Sequence, residues 1–129
     1  MPRIVVVDDS RLMRNLIQAF LEAAGHEVEI WVDVTAAEVA TRIHSGKPDL
    51  IITDYQMPGC NGLTVARMVR KANPSLPVLV VTSSHDPAVL AALQHQDVSG
   101  ILHKPLGEKD LLEAVDAALR SGRGLPSPA

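Results

Sequence analysis

Five side chains in this 129-residue sequence are of the kinds that hold a divalent cation and a phosphoryl group: Asp8, Asp9, Asp54, Thr82 and Lys104. Singly, each has an ordinary reading. An Asp-Asp pair ahead of a helix is commonly an N-cap with a solvated neighbour. Thr82-Ser83-Ser84 can cap a helix, Lys104-Pro105 reads as a turn, and Asp54 as a loop carboxylate. What sets them apart is a shared position. Arg3 to Val7 runs into Asp8-Asp9, Leu50 to Thr53 into Asp54, Pro77 onward into Thr82, and Gly100 to His103 into Lys104. Short apolar, β-branched runs of this type are strands, and the central ones read as buried on both faces.

Such strand ends can meet, because neighbouring strands lie only about 4.8 Å apart and ligands bind beyond the carboxyl ends of parallel strands. Three carboxylates gathered there repel: two unit charges about 5 Å apart cost roughly 3 kcal/mol at an effective dielectric near 20. The expected compensation is a cation, and oxygen-only donors suit Mg²⁺, or Mn²⁺, better than zinc. Lys104, Thr82 and that ion could then take the three oxygens of a phosphoryl group while Asp54 attacks phosphorus in line.

The rest of the chain supplies the elements that position these groups. Leu12, Met13, Leu16, Ile17, Phe20, Leu21 and Ala24 recur at helical spacing, and Gly25 closes that helix as a left-handed cap. Glu27 to Val32 alternates, with Val28, Ile30 and Val32 on one side, as an edge strand exposed on its other face; Trp31 there is a packing residue. Thr35-Ala-Ala-Glu38 is a capping box for a second helix ending near Ser45-Gly46. A third helix runs from about Asn61 to Asn73-Pro74, and Asp86-Pro87 opens a fourth as N-cap and first-turn proline, reaching about Gln94. Glu108 to Arg120 is the last, with Leu111, Leu112, Val115, Ala118 and Leu119 inward. Fivefold β-α alternation predicts an α/β fold, a five-stranded parallel sheet with helices on both faces. Residues 1–120 form one domain, and 121–129 have the composition of a flexible tail or the start of a linker.

Composition narrows the function. Apolar residues make up 47 % but aromatics only 2 %, so the core is aliphatic. A net charge of -3, with twelve scattered Lys and Arg, argues against a nucleic-acid binder. No apolar run approaches the roughly 20 residues that span a bilayer. Cys60, the single cysteine, reads as an exposed free thiol, and with no signal peptide the expected location is cytoplasmic.

The set Val-Val-Asp8-Asp9-Ser, Asp54-x-x-Met57-Pro58-x-x-x-Gly62, Thr82-Ser83 and Lys104-Pro105 resembles the signature of the response-regulator receiver domain of two-component signalling, chemotaxis-type. The resemblance covers residues 3 to about 120. It implies a flavodoxin-like (βα)5 three-layer sandwich with strand order 2-1-3-4-5. It also implies roles: Asp54 as phosphoacceptor; Asp9 as a direct Mg²⁺ ligand, with Asp8 acting through water and the backbone carbonyl of Gln56 completing the set; Lys104 and Thr82 on phosphoryl oxygens; and a cis peptide before Pro105. The implied donor is a sensor histidine kinase or histidine phosphotransfer protein, docking on the first helix near Arg11, Met13 and Arg14. The output partner is open, and the state is a monomer or a phosphorylation-dependent dimer. Such a module is not a conventional enzyme. Ile101 departs from the family, which often has Tyr or Phe there as a rotating partner to the threonine. Ser83 stands where Ala or Gly is frequent, and Gln56 and Ser84 occupy positions that tune loss of the phosphoryl group. The fourth helix and fifth strand, with His95 and Ile101, are the implied output face. Two other readings fit the same fold. A flavin or nucleotide binder would need a Gly- or Ser/Thr-rich loop where Asp8-Asp9-Ser10-Arg11 stands. An aspartate-based phosphohydrolase would need an Asp-x-Asp after the first strand.

Overall fold

A computed structural model of the chain describes residues 2–32, 34–57 and 61–121. Strands and helices alternate as β1 (Arg3–Val7), α1 (Arg11–Ala23), β2 (Glu27–Trp31), α2 (Ala36–Gly46), β3 (Leu50–Asp54), α3 (Gly62–Ala72), β4 (Val78–Thr82), α4 (Pro87–His95), β5 (Gly100–His103) and α5 (Glu108–Ser121). All strand pairings are parallel, in the order β2-β1-β3-β4-β5. The α/β fold and the strand order implied by the resemblance are therefore both observed. Register decides where the site falls. Val7 pairs with Thr53, Asp54 with Val81, and Thr82 with His103, so β1, β3, β4 and β5 end level on one rim.

Side chains alternate across the sheet with period two, which divides the core into two layers. Val5, Val7, Ile51, Val78 and Val80 meet Val39 and Ile43 of α2, Val65, Ala66 and Val69 of α3, and Leu93 of α4. Ile4, Val6, Leu50, Ile52, Leu79 and Val81 meet Ile17 and Leu21 of α1 and Leu111, Val115 and Ala118 of α5. Every residue of β3 and β4 is buried, as continuous apolar runs require.

The helix ends are closed by local chemistry. Gly25, at φ +92°, donates to the Glu22 carbonyl while His26 donates to that of Leu21, the two bonds of a Schellman cap. Thr35 and Glu38 form the expected capping box. Asp86 caps α4 by accepting from the Ala88 amide, with Pro87 at the first helical position.

Two expectations are corrected. Leu12 and Ala24 do not pack inward. Leu12 is 77 % exposed, because five residues at about 100° per residue turn it well away from buried Ile17, and Ala24 is the exposed C-cap residue rather than part of the last turn. The second face of β2 is not exposed at its end: Trp31 is buried against the α2 side of the core, and the Arg42 guanidinium lies 5.5 Å from its ring centroid. Val28 and Ile30 pack on the opposite face, but Val32 falls beyond the strand and is 40 % exposed.

Candidate functional site

Each candidate side chain is set by the backbone immediately around it. Asp8 follows β1 and folds back so that its Oδ1 accepts the Ser10 amide at 2.8 Å. Ser10 in turn caps α1, its Oγ facing the Met13 amide at 3.4 Å. The Arg14 guanidinium reaches back six residues, past the start of α1, to donate to the Asp8 carbonyl at 3.1 Å. Arg14 is thereby a half-buried tie on the site loop, not an ordinary solvated residue.

Asp54 closes β3 and is 5 % exposed. Its position is fixed from behind by Gly62, the first residue of α3, whose amide donates to the Tyr55 carbonyl at 2.8 Å. A Cβ added at Gly62 would stand 2.7 Å from Tyr55 Cα and 2.8 Å from the Asp54 carbonyl oxygen, so only glycine lets α3 start this close to the acceptor strand. Thr82 is buried at the end of β4, its Oγ1 accepting the Ser84 amide at 3.0 Å. Lys104 leaves β5 with its amide bonded to the Thr82 carbonyl at 2.9 Å, and the Lys104–Pro105 peptide is cis.

These residues converge. Asp8, Asp9 and Asp54 each present a carboxylate oxygen within 4.8 Å of the others, Asp8 and Asp54 buried and Asp9 exposed. Lys104 Nζ stands 3.2 Å from Asp54 Oδ1. That contact is an ion pair, not an aligned hydrogen bond, because Asp54 Oδ1 and Asp8 Oδ2 are both buried without a hydrogen-bond partner. Three carboxylates against one ammonium leave two negative charges. Burial, foremost, pushes the Asp8 carboxyl above its ordinary range; the Ser10 amide opposes this, the Asp54 carboxylate adds to it, Lys104 opposes it and Asp9 adds a little. Buried carboxylate oxygens lacking donors, all oxygen in type and gathered at one point, fit a hard divalent cation such as Mg²⁺.

Gln56 lies two residues past Asp54 with its side chain exposed. Pro58, Gly59 and Cys60 of the same loop, and the tail from residue 122, lie outside the described residues. Ile101 is half-buried against the α2–α4 layer of the core. The sequence reading passed over two rings beside the site. His103, register partner of Thr82, places its Nε2 3.1 Å from the Ser84 carbonyl, and its ring stacks on that of His85 with centroids 4.3 Å apart and planes 2° from parallel. The signal was available, since residues two apart on a strand share a face and His103 is two past Ile101.

Comparison with known proteins agrees with this geometry. Residues 4–116 match the family model of the response regulator receiver domain. A response regulator MprA of Mycobacterium avium is 34 % identical over 118 residues, covering 92 % of this chain and 51 % of the relative. The chain thus spans about half the length of the MprA relatives it matches. A CheY-like response regulator receiver domain protein from Methanospirillum hungatei superposes with a TM-score of 0.84 at 26 % identity, over 93 % of this chain and 94 % of the other. The chemotaxis protein CheY4 of Vibrio cholerae does so with a TM-score of 0.82 at 28 % identity, over 92 % and 98 %. Among the described residues no helix is long and apolar enough to cross a membrane.

Proposed function

The chain belongs to the response regulator receiver domain family, a family of phosphorylation-dependent signalling modules, and from that premise we propose that Asp54 is the residue phosphorylated. One observation carries the assignment. Of the three clustered carboxylates, Asp54 is the one that ends a central strand, is buried, and has a lysine ammonium at 3.2 Å. A nucleophile held this way is already positioned, and positioning with charge neutralisation is most of what phosphoryl transfer requires.

Asp9, Asp54 and the backbone carbonyl of Gln56 would hold Mg²⁺, or Mn²⁺, with Asp8 acting through water. The ion would neutralise the carboxylates and take one phosphoryl oxygen. Lys104 would take a second oxygen and Thr82 a third. An Asp54 carboxylate oxygen attacks phosphorus, the new P–O bond forms as the P–N bond of a phosphohistidine breaks, and the donor imidazole leaves with the electron pair and is protonated. The donor would be a histidine kinase or histidine phosphotransfer protein seated on the α1 end, where Arg11, Leu12 and Met13 lie beside the site. The domain, residues 1–120, would act by changed partner binding and not by turnover. Whether it dimerises when phosphorylated is read by size-exclusion chromatography with and without beryllofluoride.

The test is direct. Incubation with phosphoramidate or acetyl phosphate and Mg²⁺ should add one phosphoryl group, about 80 Da. Chelating the cation, or changing Asp54→Asn, should abolish the gain. Equal labelling of that variant would refute the assignment.

A further inference from the structure

Near Thr82 and Lys104, the β5 position two before His103 is Ile101, packed into the aliphatic core. The rings near them belong to His103 and His85. We infer that His103, with His85 stacked upon it, is the positioning element that couples the phosphoryl site to α4 in this protein; the inference rests on Asp54 being the acceptor.

The chain of contacts is continuous. Ser84 is held from two sides by the two residues that end β4 and β5 in register, Thr82 and His103. Its amide donates to Thr82 Oγ1 at 3.0 Å. Its carbonyl lies 3.1 Å from His103 Nε2. A carbonyl can only accept, so Nε2 carries the proton and donates. The next residue, His85, lies flat against the His103 ring. The one after, Asp86, donates its amide to Ser84 Oγ at 3.2 Å and caps α4 through Ala88. Ser84 is therefore the link between two strand ends and the first turn of a helix.

Loading of the site acts on both clamps. Thr82 Oγ1 cannot turn fully toward a phosphoryl oxygen and still sit under the Ser84 amide. Lys104 directly follows His103, and its amide is tied to the Thr82 carbonyl, so a displacement of the β4 end at Thr82 carries the β5 backbone at the ring with it. Releasing the Ser84 amide loosens the residue whose carbonyl His103 holds, and the His85 face is free to slide off. Two discrete arrangements of the loop, stacked and unstacked, are what a switch of this kind needs.

The experiment uses the whole chain labelled with ¹⁵N, with beryllofluoride and Mg²⁺ as the phosphoryl mimic. Assigned ring resonances of His85 and His103 should shift together with the amides of residues 84–90. Replacing His103→Ala should already displace those amides without ligand and cut their response to roughly half or less, while the rate of labelling by phosphoramidate stays within about threefold. Static ring resonances while the Asp54 and Thr82 amides move would overturn the inference, as would an undiminished loop response in the variant. The wild-type ring resonances decide the matter alone if the variant fails to fold. If not even the Asp54 amide responds, the acceptor assignment fails, and this inference with it.

Discussion

Lys104 Nζ sits 3.2 Å from Asp54 Oδ1 without the alignment of a hydrogen bond, so the lysine lends charge to the acceptor while leaving that oxygen's hydrogen-bonding capacity unspent. The same ammonium competes with any cation drawn to the cluster. Replacing Lys104→Met should therefore tighten Mg²⁺ binding, by about 1 kcal/mol or roughly fivefold for a partly solvated pair. It should also slow labelling by phosphoramidate at least about tenfold, because one phosphoryl oxygen loses its counter-charge. Calorimetric titration of Mg²⁺ and timed mass spectrometry read the two effects, and they must move in opposite directions.

Asp8 provides a pH signature. Its carboxyl is held above the ordinary value of 3.8, first by burial. A raised pKa means that the folded state keeps the proton longer than the unfolded one. Without metal, stability should then fall as pH rises from about 4 through the raised value, and the full loss persists above it. Asp8→Asn removes this loss. At neutral pH in chelator the variant should be more stable than the parent, with the gain vanishing near pH 3. Added Mg²⁺ should raise the parent's melting temperature more than the variant's. Thermal melts at several pH values, with and without Mg²⁺, measure all three.

Gly62 is predicted to be irreplaceable for a geometric reason. Even Ala would bring its Cβ to 2.7 Å and 2.8 Å from backbone atoms of Tyr55 and Asp54, and backbone cannot move aside as a side-chain tip can. Gly62→Ala should destabilise the fold by about 1–3 kcal/mol and slow labelling by shifting Asp54. Thr35→Ala is the matching control: it removes the capping box of α2, whose hydrogen bonds join only Thr35 and Glu38, and should cost about 1 kcal/mol with labelling unchanged. Urea denaturation of both variants beside labelling rates separates a general loss of stability from displacement of the acceptor.

How far the sequence revealed the site follows from where each group sits. Asp8, Asp54, Thr82 and Lys104 were legible because a strand end is a boundary that a run of Val, Ile and Leu announces, and the parallel register then aligns the ends. Gly62 was visible in the motif, but its reason, backbone packed on backbone, exists only in three dimensions. Trp31 was placed on the right strand and read as a packing residue, yet its face was misjudged, because what covers it is α2, brought there by the fold. His85 and His103 have no role that spacing alone assigns. Eighteen positions apart, they meet only because β4 and β5 pair.

Leu12 gives the last prediction. A leucine 77 % exposed in the first turn of α1, beside the site and flanked by Arg11 and Met13, contributes nothing to the core. Leu12→Ser should leave stability within about 0.5 kcal/mol of the parent. If the phosphohistidine donor seats on this end of α1, an exposed leucine there acts as an apolar anchor, and its loss should slow transfer from the phosphorylated donor by roughly tenfold. Labelling by phosphoramidate, which needs no docking surface, should be unaffected. The ratio of the two rates is the measurement. Equal slowing of both would mean that Leu12 acts on the site itself, and no slowing of either would move the donor's footprint off this turn of the helix.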